Sequence, residues 1–526
     1  MFKKSLSLVL YAHQEYMHHV DDESHSQWHK SLFPLMTNMY IPLLQAFENM
    51  EQDNVDFNVS MVVTPVLCSM LKDPILQEHY IVWLDRLIEF GEAEIKRYES
   101  QPLLKKNAEM YLDKLLDTKE YYQNILECDI LKKLVYFADK KNVELLGTTA
   151  TPLFLPHFAD FPESINAQIE AGLISHKHSF GIKPDGFWLP FMGYVPGLEN
   201  YIKLYGYNYT IVDTHGLLFA KPVPKNGIFT PVRTKNNLAM FARNYDSYLE
   251  GCNDCDFFQS DNYRCEERDI GYEASKEDLS ELLYADGARF ETGFKYWSRK
   301  SSTEQVYNPE VASQQVQIDA ETFLNKNAKK LEEAEKICNT NVSLIDTLYL
   351  QDLGRNWYES VEWIEQIFRQ ANKREDIQIE KVSSLINNPY TLQEVKPSIS
   401  AATPSGYGQE LLDNSNSWML FYVRKATERM LDLAVRFDEN TGLKARILDL
   451  AAKELMLAQS SDWAKLVHLE SNADFADERF RMCIKNFTTV YESLGANQMS
   501  TAWLTEIEKQ DMLFEWMNYR FFSPKR

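Results

Sequence analysis

The chain has 526 residues, 44% of them hydrophobic and 13% aromatic, which is enough apolar material for two or three packed domains. Its 55 lysines and arginines stand against 77 acidic residues, so the net charge is −22 at pH 7. An acidic surface repels nucleic-acid phosphates and anionic membranes, and we expect neither nucleic acid nor a membrane as a partner. No run of eighteen apolar residues occurs, so no membrane-spanning helix is predicted.

Short apolar runs alternate with amphipathic stretches over the first two thirds of the chain. The first run, 6–12, leads straight into His13 and Glu15, which favours a buried strand over a signal peptide. Further strands are predicted in DFNVSMVVTPVL, VELLGTTATPLFLP, GFWLP and YNYTIVDTHGLLFA, with helices such as 73–100 and 165–179 between them. This alternation predicts a parallel α/β sheet closed into a barrel, whose functional side chains lie at the carboxyl ends of the strands.

The last third of the chain is mainly helical. Residues 309–338 predict a long charged helix, followed by a strand in VSLIDTLYLQD and a helix in WYESVEWIEQIF. A Pro-, Ser- and Gly-rich stretch, NNPYTLQEVKPSISAATPSGYGQE, then leads into a purely helical pattern. The predicted domains are a barrel over 1–310 with an inserted loop around 243–272, a helical segment with the last barrel strand and loop over 311–400, and a helical domain over 401–526.

The seven cysteines are odd in number and scattered, which fits a reducing cytosol and predicts a cytoplasmic protein. Cys252, Cys255 and Cys265 cluster in CNDCDFFQSDNYRC. A CxxC pair with a third cysteine could bind zinc, but no second CxxC or paired histidine follows nearby. Free thiols on a surface insertion are the alternative, and both interpretations stay open. No metal site and no cofactor are predicted elsewhere in the chain.

Several segments, taken in order, resemble the branching-enzyme type of glycoside hydrolase family 57. They are YIPLLQAFENMEQDNVDFNVSMVVTPVLCSML, FARNYDSYLEG with YRCEERDIGYE, ETGFKYW, AAKELMLAQSSDW and DMLFEWMNYRFF. The resemblance runs nearly end to end. It implies a distorted (β/α)7 barrel with a helical insertion and a C-terminal all-α domain. It also implies a 1,4-alpha-glucan branching enzyme, which cuts and rejoins α-1,4-glucan chains such as glycogen with retention.

The resemblance also assigns the two catalytic positions. Retaining transfer needs a nucleophile and an acid/base, two carboxyl groups about 5–5.5 Å apart. In the family the nucleophile is a glutamate directly after WLP, and that position is Phe191 here. The acid/base is an aspartate five residues before the glycine of a GHWW-like segment; the segment is GRNW here, which places Tyr349 there. Phenylalanine forms no glycosyl ester, and tyrosine, with an unperturbed pKa of about 10, is a poor acid at neutral pH.

Other cleft positions also depart from the family pattern. A HAHLPY-like start is YAHQEY, so Tyr11 replaces a histidine and Glu15 a proline. Pro152 replaces a histidine after TAT, and Pro404, with Tyr407 nearby, stands where relatives carry a linker tryptophan.

Three carboxylates on motif segments are candidates to replace the missing acids. They are Glu15, Asp352 and Glu291. Asp352 would reach the old aspartate position only if the loop had lost three residues, and it would supply the acid without the nucleophile.

Residues that keep the family pattern are expected to line a glucan cleft. They are His13, Trp188, Tyr194, Asp213, His215, Trp297, Asp462 and Trp463. Flat aromatic rings stack on sugar faces, so Trp297 and Trp463 are the preferred sugar contacts. The alternatives are a packed histidine at position 13 and tryptophans in the core. Asp213 and His215 are otherwise structural, because no GxSxG motif accompanies them.

Three functions are compatible with these residues. The preferred one is a catalytically inactive relative that binds α-glucan or a maltooligosaccharide, or regulates a glucan-handling partner. The second is an active branching enzyme or amylase with relocated acids. The third is a scaffold for an unknown protein partner, with its cleft plugged by Phe191, Tyr349 and Tyr11.

Overall fold

The computed structural model describes residues 2–19, 28–247, 258–279, 283–284, 287–300, 305–439, 441–496, 498 and 500–524. The strands are β1 (Lys4–Ala12), β2 (Val59–Val63), β3 (Val143–Leu146), β4 (Gly186–Trp188), β5 (Tyr209–Val212), β6 (Val232–Arg233), β7 (Ala239–Ala242), β8 (Val342–Tyr349) and β9 (Gln378–Ile379). Every residue of β2, β5, β7 and β8 is buried, as expected for parallel strands covered on both faces.

Helices fill the connections and form the C-terminal region. They are α1 (Phe33–Leu35), α2 (Ile41–Gln52), α3 (Pro65–Leu71), α4 (Pro74–Arg97), α5 (Pro102–Glu120), α6 (Ile130–Asp139), α7 (Pro162–Phe180), α8 (Leu198–Leu204), α9 (Thr214–Leu218), α10 (Ile270–Glu273), α11 (Pro309–Cys338), α12 (Leu350–Asn356), α13 (Ser360–Ala371), α14 (Ser417–Arg436), α15 (Leu443–Ala458), α16 (Asp462–His468), α17 (Ala473–Ala496) and α18 (Thr501–Gln510). Within the described ranges, no helix combines the length and apolar character needed to cross a bilayer.

The long helix α11 shows how local sequence fixes the element boundaries. Asn308 caps its amino end through a bond from the backbone N–H of Glu310, and Pro309 occupies the first helical position. It ends where Asn339 adopts a left-handed backbone with φ of 51°. The helix predicted over 309–338 and the first strand predicted over 6–12 are both confirmed, as α11 and β1.

The strands close into a barrel. β1 pairs in parallel with β2 and β8, and β2 pairs in parallel with β3. β5 pairs in parallel with β4 and β7. Gly147, directly after β3, bridges to Phe187 of β4, and the Asn244 N–H, two residues after β7, donates to the Ile345 carbonyl of β8 at 2.7 Å. The ring order is therefore β1-β2-β3-β4-β5-β7-β8, which confirms the (β/α)7 barrel.

The helical region packs on the barrel through buried polar bonds around 456–463. Thr151 Oγ1 donates to the Met456 carbonyl at 2.8 Å, and Gln168 Nε2 donates to Gln459 Oε1 at 3.0 Å. The backbone N–H of Phe154 donates to Ser461 Oγ at 2.9 Å. These bonds hold the C-terminal helices against the loops at the carboxyl ends of the strands. We retain the predicted domain division near residues 310 and 400 as a proposal.

Candidate functional site

Three aromatic rings fill the centre of the barrel mouth. The rings of Tyr11 and Trp188 are stacked, with centroids 5.3 Å apart. Tyr349 meets Tyr11 edge-on at 5.5 Å and Trp188 at 6.3 Å. None of the three residues is more than 4% exposed. They come from β1, β4 and β8, so the contact spans the barrel, and we call them the aromatic plug. The expected acid/base position therefore lies inside a packed aromatic cluster.

The expected nucleophile position is also covered. Phe191 adopts a left-handed backbone with φ of 53°, which costs a non-glycine residue about 1–3 kcal/mol and persists only where its surroundings hold it. Its side chain packs with Phe154, Ala401 and Leu411. Its carbonyl accepts a hydrogen bond from the Ala402 N–H at 2.8 Å. The segment 401–411, which we call the linker loop, thus seals Phe191 from solvent.

The three candidate replacement acids lie in different surroundings. Glu15 is buried and accepts hydrogen bonds from Gln14 and, at 2.9 Å, from Gln351. Glu291 forms an ion pair with Lys295. Asp352 is half-buried in the first turn of α12. The carboxylates of Glu15 and Glu291 are therefore occupied by donors of this chain.

His13 and Asp462 join the barrel to the helical region. His13 Nδ1 contacts Thr64 Oγ1 at 2.9 Å, and its Nε2 contacts Asp462 Oδ2 at 3.0 Å. Burial alone would raise the pKa of Asp462, but the charge of His13 and its hydrogen bond outweigh it and lower that pKa. Both residues are fully buried. The expectation that they contact sugar is corrected, because they hold two parts of the fold together.

Two further aromatic residues expected at the cleft are buried. Trp463 is 1% exposed and its indole N–H donates to the Leu457 carbonyl at 2.7 Å. The Tyr194 hydroxyl donates to Glu199 Oε2 at 2.7 Å, and Tyr194 is also fully buried. A ring without an exposed face cannot stack on a sugar, so the expected sugar contacts at these positions are corrected. The same correction applies to Trp188 within the plug.

Trp297 is half-buried but lies under a cation. Its indole N–H donates to Glu273 Oε2 at 3.1 Å. The Arg268 guanidinium sits 4.6 Å from the ring centroid. One face of this ring is therefore covered.

The cysteine cluster is only partly described. Cys265 is half-buried, whereas Cys252 and Cys255 lie outside the described residues. The described part of the chain holds no cluster of metal-ligating side chains.

Asp213, His215 and Arg243 form a charged chain at the ends of β5 and β7. Asp213 accepts from His215 Nδ1 and from Arg243 Nε, both at 2.7 Å. Burial alone would raise the pKa of Asp213, but the hydrogen bond from His215 and the Arg243 charge outweigh it and lower that pKa. His215 Nε2 meets the Gly406 carbonyl at 2.7 Å, so both ring nitrogens face acceptors. The bond to Asp213 raises the pKa of His215, and the ring ties the linker loop to the barrel through Gly406.

An open cavity of 950 Å³ lies beside the plug, between this chain of charges, α11 and the linker loop. We call it the mouth cavity. Two tyrosines on its lining are exposed, Tyr245 by 73% and Tyr407 by 49%. Asp213 and His215 are the two predicted site residues that also line it. Arg243 and Tyr245 were not singled out from the sequence, although their place directly after an apolar strand was a usable signal.

Comparison with known proteins agrees with this architecture. The family described as glycosyl hydrolase family 57 matches residues 7–395, and the family described as 1,4-alpha-glucan branching enzyme, C-terminal, matches residues 422–522. A 1,4-alpha-glucan branching enzyme of Thermococcus kodakarensis is 22% identical over 550 residues, which cover 97% of this chain and 77% of that protein.

Two solved structures have the same fold over their whole length. AmyC of Thermotoga maritima, described as a novel alpha-amylase, superposes with a TM-score of 0.92 at 27% identity, covering 100% of both chains. A GH57-type branching enzyme of Pyrococcus horikoshii superposes with a TM-score of 0.87 at 22% identity, covering 99% of this chain and 97% of that one. The chain therefore belongs to glycosyl hydrolase family 57 and is of the branching-enzyme type.

Proposed function

We propose that this chain binds α-glucan at the barrel mouth without transferring glucosyl units, as an inactive member of its family. The observation that carries the proposal is the burial of Phe191 and Tyr349. Neither side chain has a carboxyl group, and each is packed under other residues. Retaining transfer needs one carboxylate to attack the anomeric carbon and a second to move the proton, and both positions lack one.

Asp213 and Glu15, two acids near the barrel mouth, are poor substitutes for the missing pair. Asp213 is held between His215 and Arg243, which stabilise its charged form and lower its pKa, so it is a poor proton donor. Glu15 is buried and accepts amide hydrogen bonds. Donors that hold a carboxylate also make it a weaker nucleophile, because they stabilise its negative charge. These contacts weigh against an active enzyme with relocated acids.

Glucan binding is supported by the mouth cavity. Its volume of 950 Å³ is at the upper end of the range for small-ligand sites and has room for a short oligosaccharide. Tyr245 and Tyr407 offer ring faces for sugar stacking, and Ser247, Asp319 and Lys326 offer polar groups for hydroxyls. A neutral polymer also suits a chain whose net charge is −22.

The test measures binding and transfer on one protein sample. We expect isothermal titration calorimetry to show maltoheptaose binding, and chain-length analysis after debranching to show no new α-1,6 branches. Tyr245→Ala and Tyr407→Ala should each weaken binding about three- to tenfold, the value of one aromatic contact. Tyr390→Ala is the matched control, since Tyr390 is 74% exposed and does not line the mouth cavity. New branches formed by the unaltered chain would refute the proposal.

A scaffold function is the second candidate, and the aromatic plug favours it. Tyr11, Trp188 and Tyr349 occupy the space along the barrel axis where a glucan would approach the strand ends. A scaffold needs no sugar site at all. Absence of maltoheptaose binding to the unaltered chain, together with absence of transfer, would favour this function over the first.

A further inference from the structure

A second cavity, of 290 Å³, lies outside the mouth cavity and has a different electrostatic character. It opens between the helix pair α4 and α5, the start of the chain around Lys30 to Asn38, and the segment 291–295. Five cationic and three acidic side chains line it, although the whole chain carries a net charge of −22. We call it the cationic cavity. Its positive lining contrasts with the acidic balance of the rest of the chain.

The acidic side chains in this lining are largely neutralised by their neighbours. Glu266 accepts from Arg264 at 2.8 and 3.0 Å and from Lys295 at 3.2 Å. Glu291 pairs with the same Lys295. Burial alone would raise the pKa of Glu266, but the charges of Arg264 and Lys295 outweigh it and lower that pKa to about 2. Glu266 and Glu291 are thus committed to two cations, which leaves three further cations in the lining against one acid, Glu267.

Lys114 is the surplus cation that the cavity encloses most closely. Its Nζ donates to Asn38 Oδ1 at 3.1 Å and lies 4.1 Å from the centroid of the Tyr358 ring. Among the described residues, no carboxylate oxygen lies within 4.0 Å of that nitrogen. A half-buried ammonium group whose close neighbours are an amide and an aromatic face is incompletely compensated.

We propose that the cationic cavity binds a small organic anion, whose carboxylate or phosphate oxygens contact Lys114. Trp83, Leu87 and Phe294 line the same space and offer an apolar wall to the body of the ligand. The volume is at the lower limit for ligand sites, so the occupant is a metabolite-sized molecule rather than a polymer. The site is separate from the mouth cavity and does not depend on glucan binding.

The protonation of Lys114 gives the proposal a second readout. Burial, reinforced by the charge of Arg264, lowers the pKa of Lys114 to about 7, while Glu266 and Glu359 act in the opposite direction. Slightly above neutral pH the empty cavity therefore holds a substantial share of uncharged amine. A bound anion favours the ammonium form, so binding is accompanied by proton uptake.

The experiment is a calorimetric titration of the full chain at about pH 8 with three probes, in two buffers of different ionisation heat. The probes are benzoate, inorganic phosphate and, as the neutral analogue of benzoate, benzamide. We expect benzoate, phosphate or both to bind with proton uptake, and benzamide to bind at least tenfold more weakly than benzoate. Whichever anion binds identifies the carboxylate or the phosphate as the preferred group.

Two variants separate recognition from folding. Lys114→Met should weaken anion binding roughly tenfold or more, the value of a hydrogen bond to a charged group. Lys114→Arg keeps a permanent charge, so it should retain binding and lose proton uptake. Lys105→Met, on the same helix but outside the cavity lining, is the matched control and should bind like the unaltered chain. The proposal fails if neither anion binds, if benzamide binds as tightly as benzoate, or if Lys114→Met binds the anion as tightly as the unaltered chain.

Discussion

The stability of the helical region should fall as the pH rises, because folding raises the pKa of Glu454 on α15. The residue is fully buried. Its neighbours Arg479 and Asp511, both 1% exposed, form an ion pair at 3.1 Å. Burial, followed by the charge of Asp511, raises the pKa of Glu454 from 4.5 to about 8 in the folded chain, although Arg479 opposes this. At neutral pH the folded chain therefore keeps Glu454 protonated, whereas the unfolded chain does not.

The sign and size of the effect follow from proton linkage. Between the unfolded and folded pKa values the native state holds one more proton, so stability falls with rising pH by about 1.4 kcal/mol per pH unit. Over this window the loss amounts to a few kcal/mol, and above the folded pKa it is complete. Glu454→Gln keeps the shape of the protonated side chain and cannot ionise. It should match the unaltered chain near pH 5 and exceed its stability by a few kcal/mol near pH 8.

Urea unfolding followed by far-ultraviolet circular dichroism measures this difference at several pH values. Glu478→Gln is the matched control, because Glu478 is exposed on α17 directly beside Arg479. Its free energy of unfolding should stay within a few tenths of a kcal/mol of the unaltered value at every pH. A gap between Glu454→Gln and the unaltered chain that stays constant with pH, or a variant that is less stable near pH 8, would refute the reasoning.

Three further outcomes are expected. Asp213 raises the pKa of His215, so the stability that the protonated ring gives the linker loop is complete below the unfolded pKa and is lost as the pH rises through the folded pKa. Limited proteolysis of the linker loop should therefore become faster as the pH rises. The variant His215→Gln should be cut quickly at every pH. Asp462→Ala removes the carboxylate that His13 Nε2 contacts and should lower stability by about 1–3 kcal/mol, so an unchanged urea midpoint would contradict the described bond. Phe191→Glu buries a carboxylate under the linker loop, so it should destabilise the chain by a few kcal/mol. It should also yield no branch formation, because the aromatic plug still closes the barrel mouth. Recovered branching would contradict the role of the plug as a second barrier to transfer.

The barrel could be predicted from the sequence because its strands are continuous apolar runs with amphipathic helices between them. β1, β8 and α11 lie where these patterns place them. The barrel strand β7 was not predicted, and neither were β6 and β9, which have two residues each and show no periodicity. The substituted positions Phe191 and Tyr349 were assigned through the family resemblance, and no local pattern alone would have singled them out.

The surroundings of the site residues could not be predicted in the same way. A tryptophan that stacks on sugar and one that fills a core have the same local sequence signal, so the burial of Trp463 depends on tertiary packing. His13 and Asp462 are 449 residues apart, and their bond exists only once the helical region docks on the barrel. Tyr245 and Tyr407 likewise meet around one cavity only through the path of the linker loop.

The proposed inactivity would leave the aromatic residues at the barrel mouth with a packing role in place of a catalytic one. An active retaining site keeps two carboxyl groups about 5 Å apart, and burying such a pair is unfavourable unless donors compensate it. Here Tyr11 stacks on Trp188 and Tyr349 meets both rings edge-on, with no charge to desolvate, and ring contacts of this kind contribute about 0.5–1.5 kcal/mol each beyond their buried area. The same rings close the approach along the barrel axis. A glucan that binds this chain as proposed must therefore lie beside the plug, in the mouth cavity under the linker loop, where the ring faces of Tyr245 and Tyr407 are exposed.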